Sequence, residues 1–126
     1  MNVAKKIVLV EDDDILSEII CSTLIEYGFD VICAMDGEEA LIKIQDQMPD
    51  LVLLDMFLPK KRGTEVLAAL KMDPKTRQIP VIMLSVLGSE EDRKRCKEIG
   101  ANGYIMKSQY GIESLGKKVS DFFTAS

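Results

Sequence analysis

The sequence predicts an α/β domain built on a parallel sheet, and three observations carry the prediction. Short apolar runs recur at Ile7 to Val10, Val31 to Ala34, Leu51 to Leu54, Val81 to Leu84 and Tyr104 to Met106, beginning 24, 20, 30 and 23 residues apart. A segment with helical period lies between each pair, the pattern of repeated βα units. The run Leu51 to Leu54 shows no alternation and is bounded by Pro49 and Pro59, as suits a strand buried on both faces. Five such units account for residues 1–126 as a single domain with one core, without a linker or a repeated sequence.

The elements follow in order. Lys5 and Lys6 before Ile7 to Val10 echo the start of a signal peptide, but the acids Glu11 to Asp14 follow at once and the apolar core is too short for one. The first helix is expected from near Asp13 to Gly28, with Leu16, Ile19, Ile20, Thr23, Leu24 and Tyr27 on one face and Gly28 as its stop. The second, from about Asp36 to Met48, buries Ala40, Leu41 and Ile44 and ends before Pro49. The third, from about Gly63 to Met72, offers Val66, Leu67 and Leu70. In the fourth, Ser89 and Asp92 form a capping box, and the stretch EEDRKRCKEIG supplies only Cys96 and Ile99 as apolar anchors. So little buried area makes it one of the least firmly held elements. The last helix, from about Ile112 to Phe123, presents Ile112, Leu115, Val119, Phe122 and Phe123 to seal the sheet.

Composition excludes several function classes. A net charge of -5 argues against a domain that coats nucleic acid, and the basic groups at Lys60 to Arg62 and in the fourth helix read as solvated surface. No apolar run approaches membrane-spanning length. Cys21, Cys33 and Cys96 are odd in number and widely spaced, so neither a disulfide framework nor a zinc site is indicated, and a cytoplasmic location is expected. The chain has no histidine, which removes catalytic triads, histidine metal ligands and any role as a histidine phosphodonor. Its chemistry must use carboxylate, hydroxyl and amine.

Those groups stand where the apolar runs end. Glu11 and Asp12 follow the first run, Asp55 the third, Ser85 the fourth and Lys107 the fifth, while the run Val31 to Ala34 leads into Asp36 and Gly37, which read as a helix start. Taken singly, Asp55 reads as a turn acid, Asp12 or Asp13 as a helix cap, and Lys107 as a surface lysine. Taken together, they bring four reactive side-chain types to the carboxyl edge of one sheet, where open α/β folds bind ligands. Three converging carboxylates repel unless a cation neutralises them, and a hard divalent ion such as Mg2+ suits oxygen ligands. Asp55 is then placed as a nucleophile toward phosphorus, Lys107 as the partner of a phosphoryl oxygen and Ser85 as a hydroxyl donor to another. The set makes sense as an aspartyl-phosphate acceptor.

The stretches IVLVEDDD, LVLLDMFLP with Gly63 after it, VIMLS and GANGYIMK carry a family resemblance. From Lys6 to about Phe123 the chain resembles the receiver domain of two-component response regulators, similar to the single-domain chemotaxis type. The resemblance implies a flavodoxin-like, doubly wound five-stranded parallel sheet in the order 2-1-3-4-5, with helices on both faces. It implies that Glu11, Asp12 and Asp55 hold Mg2+ together with the backbone carbonyl of Phe57, and that Asp55 receives a phosphoryl group from a partner histidine. Ser85 stands at the family's switch position, Lys107 at its invariant lysine, and Tyr104 at the aromatic that swings inward on activation. The implied role is a signalling phosphoacceptor rather than an enzyme on free substrates, one that catalyses its own phosphotransfer and dephosphorylation. The implied partners are a sensor histidine kinase or a histidine phosphotransfer protein and a downstream protein, without direct nucleic acid or membrane contact. The output surface is expected on the fourth helix, fifth strand and last helix.

Two positions depart from the family pattern. Ser108 replaces the usual proline after the lysine, and because a cis bond to a non-proline residue costs roughly 2.5 to 4 kcal/mol, a trans Lys107 to Ser108 peptide is expected. Phe57 and Leu87, each two residues beyond a site residue, are apolar and are expected to exclude the hydrolytic water. Three other readings compete. A phosphatase of the haloacid dehalogenase type wants a second aspartate where Phe57 stands, and in most cases more chain than this. An adaptor that never takes phosphate has no need of the intact acid set. A flavin site lacks a hydroxyl-rich phosphate loop and stacking aromatics.

Overall fold

A computed structural model of the chain describes residues 3–85, 89–106 and 112–124, the side chains of 112 and 113 excepted. Strands and helices alternate throughout: β1 (Lys6–Val10), α1 (Asp14–Glu26), β2 (Asp30–Ala34), α2 (Gly37–Gln47), β3 (Leu51–Asp55), α3 (Gly63–Met72), β4 (Val81–Ser85), α4 (Glu90–Ile99), β5 (Gly103–Met106) and α5 (Ile112–Thr124). The sheet is wholly parallel in the order β2-β1-β3-β4-β5, as the family resemblance implied.

The period-two rule of a strand divides the core. Val8, Val10, Val52, Leu54, Val81 and Met83 point to one face, where α2, α3 and α4 cover them. Ile7, Leu9, Leu51, Leu53, Ile82 and Leu84 point to the other, beneath α1 and α5. β3 is the middle strand and every residue of it is buried. Burying each of its aliphatic side chains contributes about 1.5 to 3 kcal/mol, which makes β3 the element that fixes the sheet.

Local signals set the helix ends. Asp13 caps α1 by accepting the Leu16 N–H at 2.9 Å, and Asp36 caps α2 by accepting the Glu39 N–H at 2.8 Å. That bond, aided by Lys60 Nζ 3.5 Å away, holds the Asp36 carboxyl below the usual carboxylate range. α2 ends at Met48 in a left-handed conformation, φ 43°, and Pro49 then forbids continuation. Ser89 and Asp92 form the expected capping box of α4. α2 buries Ala40 and Ile44 as expected, with Gly37 in addition, while Leu41 is only partly buried; α3 buries the expected Val66, Leu67 and Leu70, with Gly63 in addition.

The face of α1 differs from the one its apolar spacing suggests. Ile20 and Leu24 are buried, but Ile19 and Tyr27 are 43% and 45% exposed, and Ser17 is buried in their stead. The helix is rotated so that its seam runs through Ser17, Ile20 and Leu24, because α5 occupies one flank. Tyr27 lies along that flank, where a Cβ on Gly116 would overlap its ring and touch Thr23.

Among the described glycines, Gly63 makes the tightest approach. Its N–H donates to the Met56 carbonyl at 2.9 Å, bringing the start of α3 against the end of β3. A Cβ there would collide with the Asp55 carbonyl oxygen and come within 2.8 Å of the Met56 Cα. Both are backbone atoms that cannot swing aside. Gly63→Ala is expected to destabilise the domain by about 1 to 3 kcal/mol through overpacking, read as a lower urea midpoint at unchanged slope.

Candidate functional site

Three carboxylates converge at the carboxyl edge of the sheet. Glu11 directly follows β1, Asp12 comes next, and Asp55 closes the adjacent β3, so that one carboxylate oxygen from each lies within 4.8 Å of the others. Glu11 is 1% and Asp55 6% exposed, while Asp12 faces solvent. The backbone fixes the two buried acids. The Glu11 N–H donates to the Ala34 carbonyl at 3.0 Å, which extends the β1–β2 pairing by one bond, and the Asp13 N–H donates to Glu11 Oε2 at 3.3 Å. The Met56 N–H donates to the Leu84 carbonyl at 3.0 Å, and the Phe57 N–H turns back to Asp55 Oδ1 at 3.3 Å.

Such a cluster can hold a metal. The donors are all oxygen, with no nitrogen or sulfur among them, and two are buried carboxylates in close company. That combination suits a hard cation rather than a soft one.

Ser85 closes β4 beside Asp55, since Asp55 pairs with Leu84 and Ser85 with Met106, and it is fully buried. Its parity with Met83 turns it toward the α4 side of the sheet. Tyr104 is opposite Met83 on β5 and packs on that same side. Among the described residues its buried hydroxyl oxygen has no hydrogen-bond partner, and Arg93 of α4 lies 5.9 Å from its ring centre. Phe57 is 61% exposed, two residues past the strand end it was expected to guard. Lys107, Ser108 and Leu87 lie outside the described residues, and with them the expected trans peptide and the apolar barrier at Leu87.

One contact at the site has no counterpart in the sequence pattern. Cys96, expected only as an apolar anchor of α4, places its Sγ 3.4 Å from Met56 Sδ in the buried core. Burial pushes its thiol pKa up, with Asp92 adding to the effect. The residue after Asp55 is thereby in direct touch with α4, and only a sequence signal pairing residues forty positions apart would have revealed it. Beside this contact a cleft of about 220 Å3 opens between α4 and β5, lined by Arg93, Cys96, Lys97, Asn102 and Tyr104.

Comparison with known proteins agrees with this geometry. The family model of the response regulator receiver domain matches residues 7–120. The chain is 41% identical over 104 residues to the phosphate regulon transcriptional regulatory protein PhoB of Escherichia coli K12, an alignment covering 82% of this chain and 45% of PhoB. The chain thus spans about half the length of the curated relatives it matches. Among solved structures, the chemotaxis response regulator CheY4 of Vibrio cholerae superposes with a TM-score of 0.87 at 29% identity, over 94% of this chain and 98% of that one. The phosphorylated cyanobacterial phytochrome response regulator RcpA superposes with a TM-score of 0.87 at 34% identity, over 98% and 96%.

The unpaired hydroxyl of Tyr104 has a measurable consequence. A buried polar group left without a partner costs about 1 to 3 kcal/mol, and Tyr104→Phe removes it while keeping the ring under Arg93. The variant is expected to be more stable than the parent, by up to that amount, in urea denaturation; a loss of stability would show that the hydroxyl is satisfied in solution.

Proposed function

This chain belongs to the response regulator receiver domains, phosphoacceptor domains of two-component signalling, and from that premise we propose that Asp55 is the residue that takes the phosphoryl group. The convergence of Glu11, Asp12 and Asp55 at the ends of two neighbouring strands carries this reading. Receiver domains interact with histidine kinases or phosphotransfer proteins, and the donor assigned to this chain is a phosphohistidine on one of these. The Asp55 carboxylate attacks phosphorus in line, the O–P bond forms as the N–P bond breaks, and the leaving imidazole takes up a proton from water. Asp55 acts as the nucleophile, held in place by the Phe57 N–H.

The ion assigned to the acid cluster is Mg2+, with Glu11, Asp12, Asp55 and the Phe57 carbonyl as its protein ligands; when bound it supplies the positive charge that admits a phosphate to an acidic site. Lys107 is assigned to a phosphoryl oxygen as a point charge, and Ser85 donates its hydroxyl to another. The same groups catalyse hydrolysis of the aspartyl phosphate, and the exposed ring of Phe57 covers the approach of water.

The switch residues are Ser85 and Tyr104, which share the α4 side of the sheet. The output surface is α4 with β5 and α5. α4 has a single buried side chain, Cys96, so it is the element most easily shifted. The downstream partner is another protein. Among the described residues no helix is long and apolar enough to cross a membrane, and the cytoplasm is the compartment proposed.

Incubation with acetyl phosphate and Mg2+ followed by intact-mass measurement tests the acceptor. One phosphoryl adduct is expected on the parent chain and none on Asp55→Asn. An adduct on Asp55→Asn, or none on the parent even with an active kinase present, would overturn the assignment. Timing the loss of label tests the water barrier: Phe57→Asn is expected to shorten the phosphoryl lifetime several-fold, and an unchanged rate would remove Phe57 from that role.

A further inference from the structure

Away from the acid cluster, α1 and the edge strand β2 bring two thiols together. Cys21 lies one residue along α1 from buried Ile20. Cys33 shares the parity of Val31 on β2, so both strand residues face the core cluster into which Ile20 and Leu24 pack. Cys21 and Cys33 are each half-buried, and both side chains pack against that same cluster from facing elements, near enough for Cys33 to act on the Cys21 thiol. Thiols brought together where α1 packs on β2 and partly open to solvent meet the two conditions for oxidation to a bridge, proximity and access. Cys96 meets neither, being buried and engaged with Met56.

We propose that Cys21 and Cys33 form a redox modification site, a dithiol that a hydroperoxide closes into an intramolecular disulfide. The thiolate of one cysteine attacks a peroxide oxygen, the O–O bond breaks, and water leaves after protonation, giving a sulfenic acid. The second thiol attacks that sulfur, the S–S bond forms, the S–O bond breaks and a second water leaves. Two electrons pass from the sulfurs to the peroxide, so two thiols and one hydrogen peroxide give one disulfide and two waters. Disulfides of this kind in a reducing compartment are transient and reversible by thiol exchange.

The site is slow by construction. Burial, then the hydrogen bond and charge of Cys33, push the Cys21 thiol up to about 11, so little of its thiolate exists at neutral pH. The pair therefore responds to excess oxidant rather than to traces. Closing it would fasten α1 to β2 one residue before Ala34, whose carbonyl accepts the Glu11 N–H at 3.0 Å. The Cys33 carbonyl is itself held by Lys43 Nζ at 2.7 Å. The bridge thus ties α1 to the backbone that positions one acid of the cluster.

The test is treatment of the folded chain with excess hydrogen peroxide, followed by intact mass and non-reducing peptide mapping. The expected result is a monomer lighter by two hydrogen atoms, with the α1 peptide joined to the β2 peptide, a higher melting temperature, and full reversal by dithiothreitol. Cys96→Ser should behave as the parent, whereas Cys21→Ser and Cys33→Ser should form no internal bridge. The Cys33→Ser change on the edge strand keeps the test decisive if Cys21→Ser perturbs α1. Sulfinic acid on a single cysteine, a bridge to Cys96, disulfides only between molecules, or no linked pair at saturating peroxide would each overturn the proposal.

Discussion

A parallel sheet covered by helices on both faces can carry charge only at the ends of its strands. Along β3 the side chains alternate between two apolar layers, where an unpaired charge would be costly. Asp55 is the first position where a carboxylate can sit, and Glu11 is the equivalent position beside it on β1. Both remain almost inaccessible, so they are acids at the limit of what the fold tolerates. Like charges this close are the physical reason such a cluster can hold a cation, and the hydroxyl of Ser85 reaches the same edge by the same rule.

The two flanks of that edge differ in stiffness. On one side α3 begins against the backbone of Asp55 and Met56 at Gly63, and α2 begins at Gly37, where a Cβ would overlap Lys61. These are close approaches with no room to slide. On the other side α4 carries eight polar or charged residues in ten and buries only Cys96. Its hold on the residue after Asp55 is one sulfur contact with Met56. A change at Asp55 therefore meets a rigid wall toward α3 and a yielding element toward α4.

Much of this is legible in the sequence because burial writes a strict period. The unbroken run Leu51 to Leu54, the capping pair Ser89 and Asp92, and the acids after the first and third runs locate the sheet and the acid cluster. Strand order comes from resemblance, since parallel βα units allow several orders with the same spacing. Apolar spacing misplaces the face of α1 at Ile19 and Tyr27 because it does not say which flank a neighbouring helix takes. Contacts between distant residues are invisible for the same reason. In the sequence Cys21 and Cys33 are isolated thiols and Cys96 is filler; the packing of α1 on β2 and of α4 on β3 brings each to its partner.

Tyr104 shows how a local defect can become a signal. Among the described residues its hydroxyl is buried unpaired while neighbouring polar groups are matched, Asn102 Oδ1 for example accepting the Val81 N–H at 3.0 Å. A cost of about 1 to 3 kcal/mol corresponds to a population ratio of roughly 5 to 150. Any rearrangement near Ser85 that gave the hydroxyl a partner would recover free energy of that order, and any that expelled the ring into the α4–β5 cleft would do the same through water. The described conformation is therefore held by packing against a polar penalty. A balance of that size is comparable to one hydrogen bond to a charged group.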